Sequence, residues 1–176
     1  MAIRPVLKMG HPVLRQVAMP VLRFDQDLQT LIADMDETMR SLSGAGIAAP
    51  QIGVSQRVVI FEVRENPRYP QVKPVPYTVL VNPELSPLDD EMEEGWEGCL
   101  SVPGMRGLVP RYRRLRYRGF DQHGAEIDRT VEGFHARVVQ HEVDHLDGIL
   151  YPQRIQDLRD FGFEDVLLGQ MTPMPD

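Results

Sequence analysis

The segment His141-Glu142-Val143-Asp144-His145 constrains the fold more than any other part of this sequence. Histidines four residues apart lie on one face of an α-helix, so both imidazoles can reach a single metal ion. Glu142 stands beside the first histidine, within reach of a proton on a water held by that metal. Such a chain must bury a helix and supply walls around its metal-binding face.

The residues around this motif sort into three faces at a helical period of 3.6. An apolar face and a mixed face of apolar residues and imidazoles indicate packing, whereas the polar face is expected to meet water. Gly148 predicts the end of the helix. The apolar face comprises Val139, Val143, Leu146 and Leu150, and the mixed face Phe134, Val138, His141 and His145. The polar face comprises Arg137, Gln140, Asp144 and Asp147.

A catalytic metal site usually has three protein ligands and one open position, so the two histidines need a third partner. Cys99, the single cysteine, lies in the turn-like segment Glu97-Gly98-Cys99-Leu100-Ser101, and its thiolate suits zinc or iron. Glu164, nineteen residues after His145, is the alternative, since a His₂Glu zinc peptidase takes its third ligand from a following helix. A structural zinc site in a binding module is a third interpretation, but it would need a fourth protein ligand.

The segment Gly44-Ala45-Gly46-Ile47-Ala48-Ala49-Pro50-Gln51 is rich in small residues. Small residues let a ligand or another backbone approach closely. The segment lacks the residues of a phosphate-binding loop. Its alternative interpretation is an ordinary connection between a helix and a strand.

Three segments together resemble peptide deformylases: G-A-G-I-A-A-P-Q at 44–51, E-G-C-L-S at 97–101 and Q-H-E-V-D-H at 140–145. Their order and spacing fit that family, and the similarity runs from about residue 3 to about residue 155. The resemblance implies removal of the formyl group from the N-terminal formylmethionine of newly synthesised polypeptides. It also implies an α+β fold, which we expect to form one catalytic domain over residues 1–176, with antiparallel sheets around the central metal-binding helix.

The resemblance also implies roles for individual residues. It makes Glu142 the general acid and base, with the Gln51 side chain and the Leu100 backbone N–H donating to the oxygen of the reacting formyl group. The implied metal ligands are Cys99, His141 and His145. The implied substrate-binding residues are Gly46, Ile47, Arg106, Phe134 and Val138, of which Ile47, Phe134 and Val138 would form an apolar wall for the methionine side chain.

The implied cofactor is one divalent metal ion, Fe²⁺ in the cell. A set of one thiolate and two imidazoles accepts several divalent metals, so Zn²⁺, Ni²⁺ or Co²⁺ are expected to substitute.

Composition restricts the partners. The formal net charge of −7 over 176 residues argues against DNA binding, which requires a basic face. Residues 111–118 are locally basic and alternate in part at a period of two, which predicts a solvated strand face or, as a second interpretation, a transient contact with ribosomal RNA. A single cysteine, no recognisable signal peptide and no apolar run of membrane length predict a cytoplasmic protein.

Periodicity predicts the remaining elements. Residues 25–40 read as an amphipathic helix, and residues 58–63 and 78–81 as strands. Residues 113–120 and 125–131 are expected to form a hairpin. Because proline and glycine interrupt the C-terminal segment, we expect a short strand over residues 164–168. The proline-rich loop over residues 64–76 is expected to border the cleft.

Overall fold

A computed structural model describes residues 2–65 and 71–171 of the chain. Helices and strands are mixed along the described sequence, which confirms the expected α+β class. The helices are α1 (Gln26–Ser41), α2 (Gly133–Leu146) and α3 (Glu164–Met171). The strands are β1 (Gly46–Ala48), β2 (Val58–Val63), β3 (Val75–Pro87), β4 (Met92–Cys99), β5 (Val102–Tyr112), β6 (Arg114–Phe120), β7 (Glu126–Glu132) and β8 (Phe161–Phe163).

The strands form two antiparallel sheets. One has five strands in the order β1-β2-β3-β6-β7, and the other has three in the order β4-β5-β8. The apolar face of α2 packs on the five-stranded sheet, where Val139, Val143 and Leu146 join a buried cluster with Phe61 and Leu80. Burial of these side chains, each stabilising by about 1.5–3 kcal/mol, holds α2 at the centre of the domain.

Helix α1 covers the opposite face of the five-stranded sheet. Asp25 caps it, because its carboxylate accepts the backbone N–H of Leu28 at 3.2 Å. The predicted apolar stripe packs against Ile47, Ile60 and Val79 of the sheet. The buried stripe comprises Leu28, Leu31, Ile32, Met35 and Met39.

The polar face of α2 is buried against the three-stranded sheet, so the prediction that it meets water is wrong for most of its length. Arg137, Gln140 and Asp144 are only 7–8% exposed, and Asp147 alone is exposed. Gln140 accepts the backbone N–H of Tyr112 at 3.0 Å and donates to its carbonyl at 2.8 Å. These polar side chains form hydrogen bonds with backbone groups of the three-stranded sheet and ion pairs with its charged side chains. These interactions offset the free-energy cost of removing polar groups from water.

The helix ends where the sequence predicts. Asp147 caps α2, and Gly148 follows with a φ of +73°, a left-handed conformation that favours glycine. Leu150 therefore lies beyond the helix, although it is buried.

The predicted strand over residues 164–168 is wrong, since α3 begins at Glu164. The strand of this region lies just before it, where β8 pairs with β5. Glu164 and Asp165 occupy the first turn of α3, where negative charge favours a helix. Of the predicted loop over residues 64–76, positions 66–70 lie outside the described residues.

The basic segment is confirmed in part as a solvated strand face. On β6, Arg114, Arg116 and Arg118 are exposed while Leu115 and Tyr117 between them are buried. Arg111 differs, because its side chain is only 4% exposed and lies inside an ion-pair network. None of the helices in the described ranges has the length and apolarity needed to span a bilayer.

Candidate active site

A cleft of about 610 Å³ opens between the 42–46 segment, the β4–β5 hairpin and α2. Cys99, His141 and Glu142 line it, as do Gln51 and Leu100. A depression of similar size, about 650 Å³, lies over α1, but its described lining includes neither cysteine nor histidine. We assign the candidate site to the cleft because groups able to bind a metal and to transfer a proton meet there.

Cys99, His141 and His145 come together where the end of β4 meets α2, and Cys99 and His141 line the cleft. Their potential ligand atoms all lie within 4.8 Å of one another, and Cys99 Sγ is 3.4 Å from His145 Nε2. Glu164, the alternative third ligand, pairs instead with Arg106 through Oε1 at 2.8 Å. The structure therefore brings the thiol, and not that carboxylate, to the two histidines.

Burial lowers the pKa of His145 well below its ordinary value, so that its imidazole is neutral. Neutral imidazole is the form that binds a metal. His141 is oriented by a hydrogen bond between its Nδ1 and Glu97 Oε1 at 2.7 Å, which turns Nε2 toward the cysteine and the second histidine.

Glu97 is a functional residue that the sequence analysis missed. Its carboxylate accepts from Arg111 Nε and Nη2, each at 2.9 Å, and from Arg137 Nη1 at 2.7 Å, in addition to meeting His141. Burial alone would raise the pKa of Glu97, but the hydrogen bonds from Arg111 and His141 outweigh it and hold this pKa well below its usual range. A permanently ionised Glu97 fixes the imidazole of His141. The sequence signal that could have identified Glu97 is its position two residues before Cys99, a candidate metal ligand.

The network extends to the buried face of α2. Asp144 accepts from Arg111 Nη1 at 2.5 Å and from Arg154 Nη2 at 2.8 Å. Arg137 donates further to the backbone carbonyls of Glu93 and Val109, at 2.6 and 2.8 Å. Each charge of this network thus has an opposite partner, which is the condition for keeping such charges in an interior.

The carboxylate of Glu142 lies in the same cleft as Cys99 and His141. Oε2 is buried and has no hydrogen-bond partner among the described residues. Burial raises the pKa of Glu142 to about 7, which is the range that suits a group that both accepts and releases a proton near neutral pH. Gly46 makes room for this side chain: a Cβ at Gly46 would lie 2.6 Å from Glu142 Cδ and 2.8 Å from Cγ.

The side chain of Gln51 also lines the cleft, close to Cys99. Its Oε1 accepts the backbone N–H of Ala48 at 2.9 Å, so its amide nitrogen must point into the site. This Nε2 donates to Ser101 Oγ at 3.0 Å and lies 3.6 Å from Cys99 Sγ. Gln51 is 1% exposed, and its orientation is therefore fixed.

Four of the five predicted substrate-binding residues line the cleft: Gly46, Arg106, Phe134 and Val138. Ile47 does not contribute its side chain, because that side chain is fully buried and packs under α1. Successive positions of a strand face opposite sides. Because Gly46 faces Glu142, the side chain of Ile47 faces the core. The expected apolar wall thus lacks Ile47, whereas Trp96 lines the cleft and was not predicted.

Comparison with known proteins decides the family. A family model for polypeptide deformylase matches residues 3–161. Peptide deformylase 1 of Nitrosomonas europaea is 64% identical over 171 residues, which is 97% of this chain and 97% of that protein. This chain belongs to the peptide deformylase family. Peptide deformylase 2 of Ralstonia nicotianae is 62% identical, over 96% of each protein.

Solved deformylase structures agree with the fold. A class I type b peptide deformylase from Acinetobacter baumannii, with Met-Ala-Ser bound, superposes with a TM-score of 0.82 at 43% identity, over 88% of this chain and 99% of that one. The peptide deformylase of Thermotoga maritima gives 0.80 at 38% identity, over 89% of this chain and all of that one. Peptide deformylases remove the formyl group from the N-terminal formylmethionine of new polypeptides, and this is the reaction of the chain.

Substituting alanine for Gly46 is expected to reduce deformylation by at least about tenfold, because the new methyl group would displace the Glu142 carboxylate, the candidate proton-transfer group. The metal content should be unchanged. Formate release under saturating substrate measures the effect. Gly169→Ala is a matched control, since a Cβ there meets nothing within 4 Å. Equal turnover by Gly46→Ala and wild type would show that Glu142 is not held by this contact.

Proposed function

We propose that deformylation by this chain depends on a divalent metal held by Cys99 Sγ and the Nε2 atoms of His141 and His145. The observation that carries the proposal is the approach of these ligand atoms to within 4.8 Å of one another. The donor set fits such an ion: the second histidine is neutral through burial, and the first is oriented by an ionised carboxylate. Although burial alone would lower the pKa of His141, hydrogen bonds to Cys99 and Glu97 raise this pKa, so a metal bound there would displace a proton. When bound, the metal supplies Lewis-acid chemistry, lowering the pKa of a water and polarising a carbonyl oxygen.

Ferrous iron is the metal we propose for the cell. One soft thiolate with two imidazoles suits Fe²⁺, and Zn²⁺, Ni²⁺ and Co²⁺ are compatible with the same donors. The basis for iron among these is membership of the family.

Glu142 is the proposed general base and then the general acid. Its unpartnered, buried Oε2 is able to take a proton from the attacking water and to return it to the departing amine nitrogen. Since Gly46 packs against the same side chain, the carboxylate has little freedom to turn away. One residue thus serves both proton transfers without a second titratable group.

Gln51 and the backbone N–H of Leu100 are the proposed donors to the oxygen of the formyl group as it gains negative charge. The Gln51 amide is fixed in advance by Ala48 and Ser101, so its donation requires little reorganisation during the reaction. Leu100 follows Cys99 directly and lines the cleft. A close approach of Gly46 and Leu100, which both line the cleft, would favour the formyl hydrogen over a methyl group by exclusion.

The proposed substrates are nascent polypeptides that begin with formylmethionine. Val138 and Phe134, together with Trp96, supply apolar surface to the cleft for the methionine side chain. A related enzyme has been solved with Met-Ala-Ser bound, a peptide of the length that this cleft would receive.

The kcat/KM for formyl-Met-Ala-Ser is therefore expected to exceed that for formyl-Glu-Ala-Ser by a factor of at least about 10². The methionine thioether packs favourably on an apolar wall, whereas a carboxylate there would lose its hydration. A formyl-norleucine peptide, similar in volume, should keep most of the activity. Steady-state kinetics on the three peptides measure the preference. Similar values for methionine and glutamate would contradict the apolar pocket.

One experiment tests the proposed function directly. Protein purified without oxygen is assayed for formate release from formyl-Met-Ala-Ser, and its metal is determined by elemental analysis. The proposal expects about one divalent ion per chain, and loss and recovery of activity on chelation and reloading. Full activity in metal-free protein would overturn it.

We further propose a single catalytic domain over residues 1–176 that acts in the cytoplasm, where nascent formylated chains emerge. A transient ribosome contact stays a prediction. The exposed arginines of β6 do not favour it, because Arg114, Arg116 and Arg118 pair with Asp89, Asp128 and Glu84 respectively.

A further inference from the structure

Arg106 and Glu164 form an ion pair on the rim of the cleft. Arg106 Nε donates to Glu164 Oε1 at 2.8 Å, and both residues line the cleft. Their side chains are 42% and 40% exposed, so solvent and any bound peptide reach both charges. The pair is therefore part of the surface along which a substrate passes.

The C-terminal segment places Glu164 at this rim. Strand β8 pairs with β5 so that Gly162 lies opposite Arg106. Glu164 follows two residues later as the first residue of α3, where its charge also favours the helix. The acidic half of the pair thus comes from a part of the chain outside the three motifs.

The rim pair lies close to the metal-binding residues. A Cβ at Gly98, the neighbour of Cys99, would be 3.8 Å from Arg106 Cγ and 3.9 Å from Cζ. A peptide whose formyl group reaches Cys99 would therefore carry the residues after methionine past Arg106 and Glu164. Within the described ranges Arg106 donates through Nε alone, although a guanidinium has five N–H donors.

We propose that Glu164 sets the charge preference of the cleft for the substrate residues that follow methionine. By pairing with Arg106 it cancels the positive charge that would otherwise select acidic side chains. The rim then carries no net charge, and the enzyme accepts basic and acidic sequences with similar efficiency. This inference rests on the proposed function, because it takes the cleft to hold the formylated peptide.

Single substitutions at the two positions are expected to shift the preference in opposite directions. The measured quantity is the ratio of kcat/KM for formyl-Met-Ala-Glu-amide to that for formyl-Met-Ala-Lys-amide. Wild type should give a ratio near one. Glu164→Gln exposes the arginine charge and should raise the ratio about 3–10-fold, as expected for charges about 6 Å apart near water. Arg106→Gln should lower it by a similar factor.

Three further measurements separate this role from a structural one. The double variant should return the ratio toward that of wild type, because both charges are gone. The shifts should appear in KM and shrink in high salt. Glu91→Gln is the matched control, since Glu91 pairs with Arg113 at 2.8 Å with 47% and 48% exposure but does not line the cleft.

The outcomes are distinguishable. Absence of formate release from any peptide by the wild-type holoenzyme would defeat the proposed function. If the wild type releases formate from formyl-Met-Ala-Ser as expected, but the ratio of kcat/KM for the glutamate and lysine peptides is the same in wild type, Glu164→Gln and Arg106→Gln, the inference alone is overturned. Opposite shifts in the two single variants, with none in Glu91→Gln, would support it.

Discussion

Glu142→Gln is expected to retain the metal and to lose turnover by about 10²–10⁴, the usual contribution of a general acid–base group. Glutamine has nearly the same shape as glutamate but accepts no proton under these conditions. The three proposed ligands are untouched, and the space left by Gly46 fits either side chain. The measurements are kcat for formate release and metal content by elemental analysis.

The control for this substitution is the stability of the folded variant. Glu142 Oε2 has no hydrogen-bond partner in the described structure, so replacing it by an amide nitrogen breaks no internal hydrogen bond. Thermal unfolding of the variant should therefore differ little from that of wild type. More than about a tenth of the wild-type rate in a metal-loaded variant would remove Glu142 from the mechanism.

Cys99→Ala is expected to lose the metal and all measurable deformylation, whereas Glu164→Ala should keep both. The thiolate is one of three proposed ligands, and its removal leaves two imidazoles that hold a divalent ion much more weakly. Glu164 is engaged with Arg106 on the rim. Elemental analysis of both variants after the same dialysis decides between the two ligand sets.

Activity adds an independent check on that comparison. Glu164→Ala should turn over formyl-Met-Ala-Ser-amide at close to the wild-type rate, because this peptide carries no charge after methionine on which the unpaired arginine could act. Metal retained in Cys99→Ala and lost in Glu164→Ala would reverse the ligand assignment and favour a His₂Glu site.

The central helix could be predicted from sequence because its signals are local. The four-residue spacing of the histidines, the apolar repeat at Val139, Val143 and Leu146, and the glycine stop all arise within one segment. Their agreement made the position and end of α2 predictable to within a few residues. The alternation on β6 was readable for the same reason.

The environment of the polar face could not be predicted in this way. Arg137 and Asp144 read as solvent-exposed, because charged residues usually are. Their burial depends on Arg111 of β5 and Glu97 of β4, which are distant in sequence and contact them only in the folded protein. Such pairings are tertiary, and a single sequence carries no local signal for them.

The C-terminal error has a different cause. Gly162 suggested that no helix would form nearby, and the glycine does lie in a strand, β8. The helix begins only at Glu164, and its acidic first turn was not weighed against the glycine. Ile47 was misplaced because a motif match gives a position along the chain, whereas the strand face decides which side chain enters the cleft.

The proposed ligands come from separate layers of the domain, with Cys99 at the end of β4 and His145 on α2, 46 positions later. An ion shared between them would join β4 to α2 in the folded chain, and the unfolded chain has no such preformed site, so binding favours the folded state. Binding to the folded chain alone stabilises it by about 4 kcal/mol when the free ion is present at about 1,000 times its Kd. The same ion that supports the reaction would then hold the three-stranded sheet to the central helix, and a cell short of the metal would contain a less stable protein as well as an inactive one.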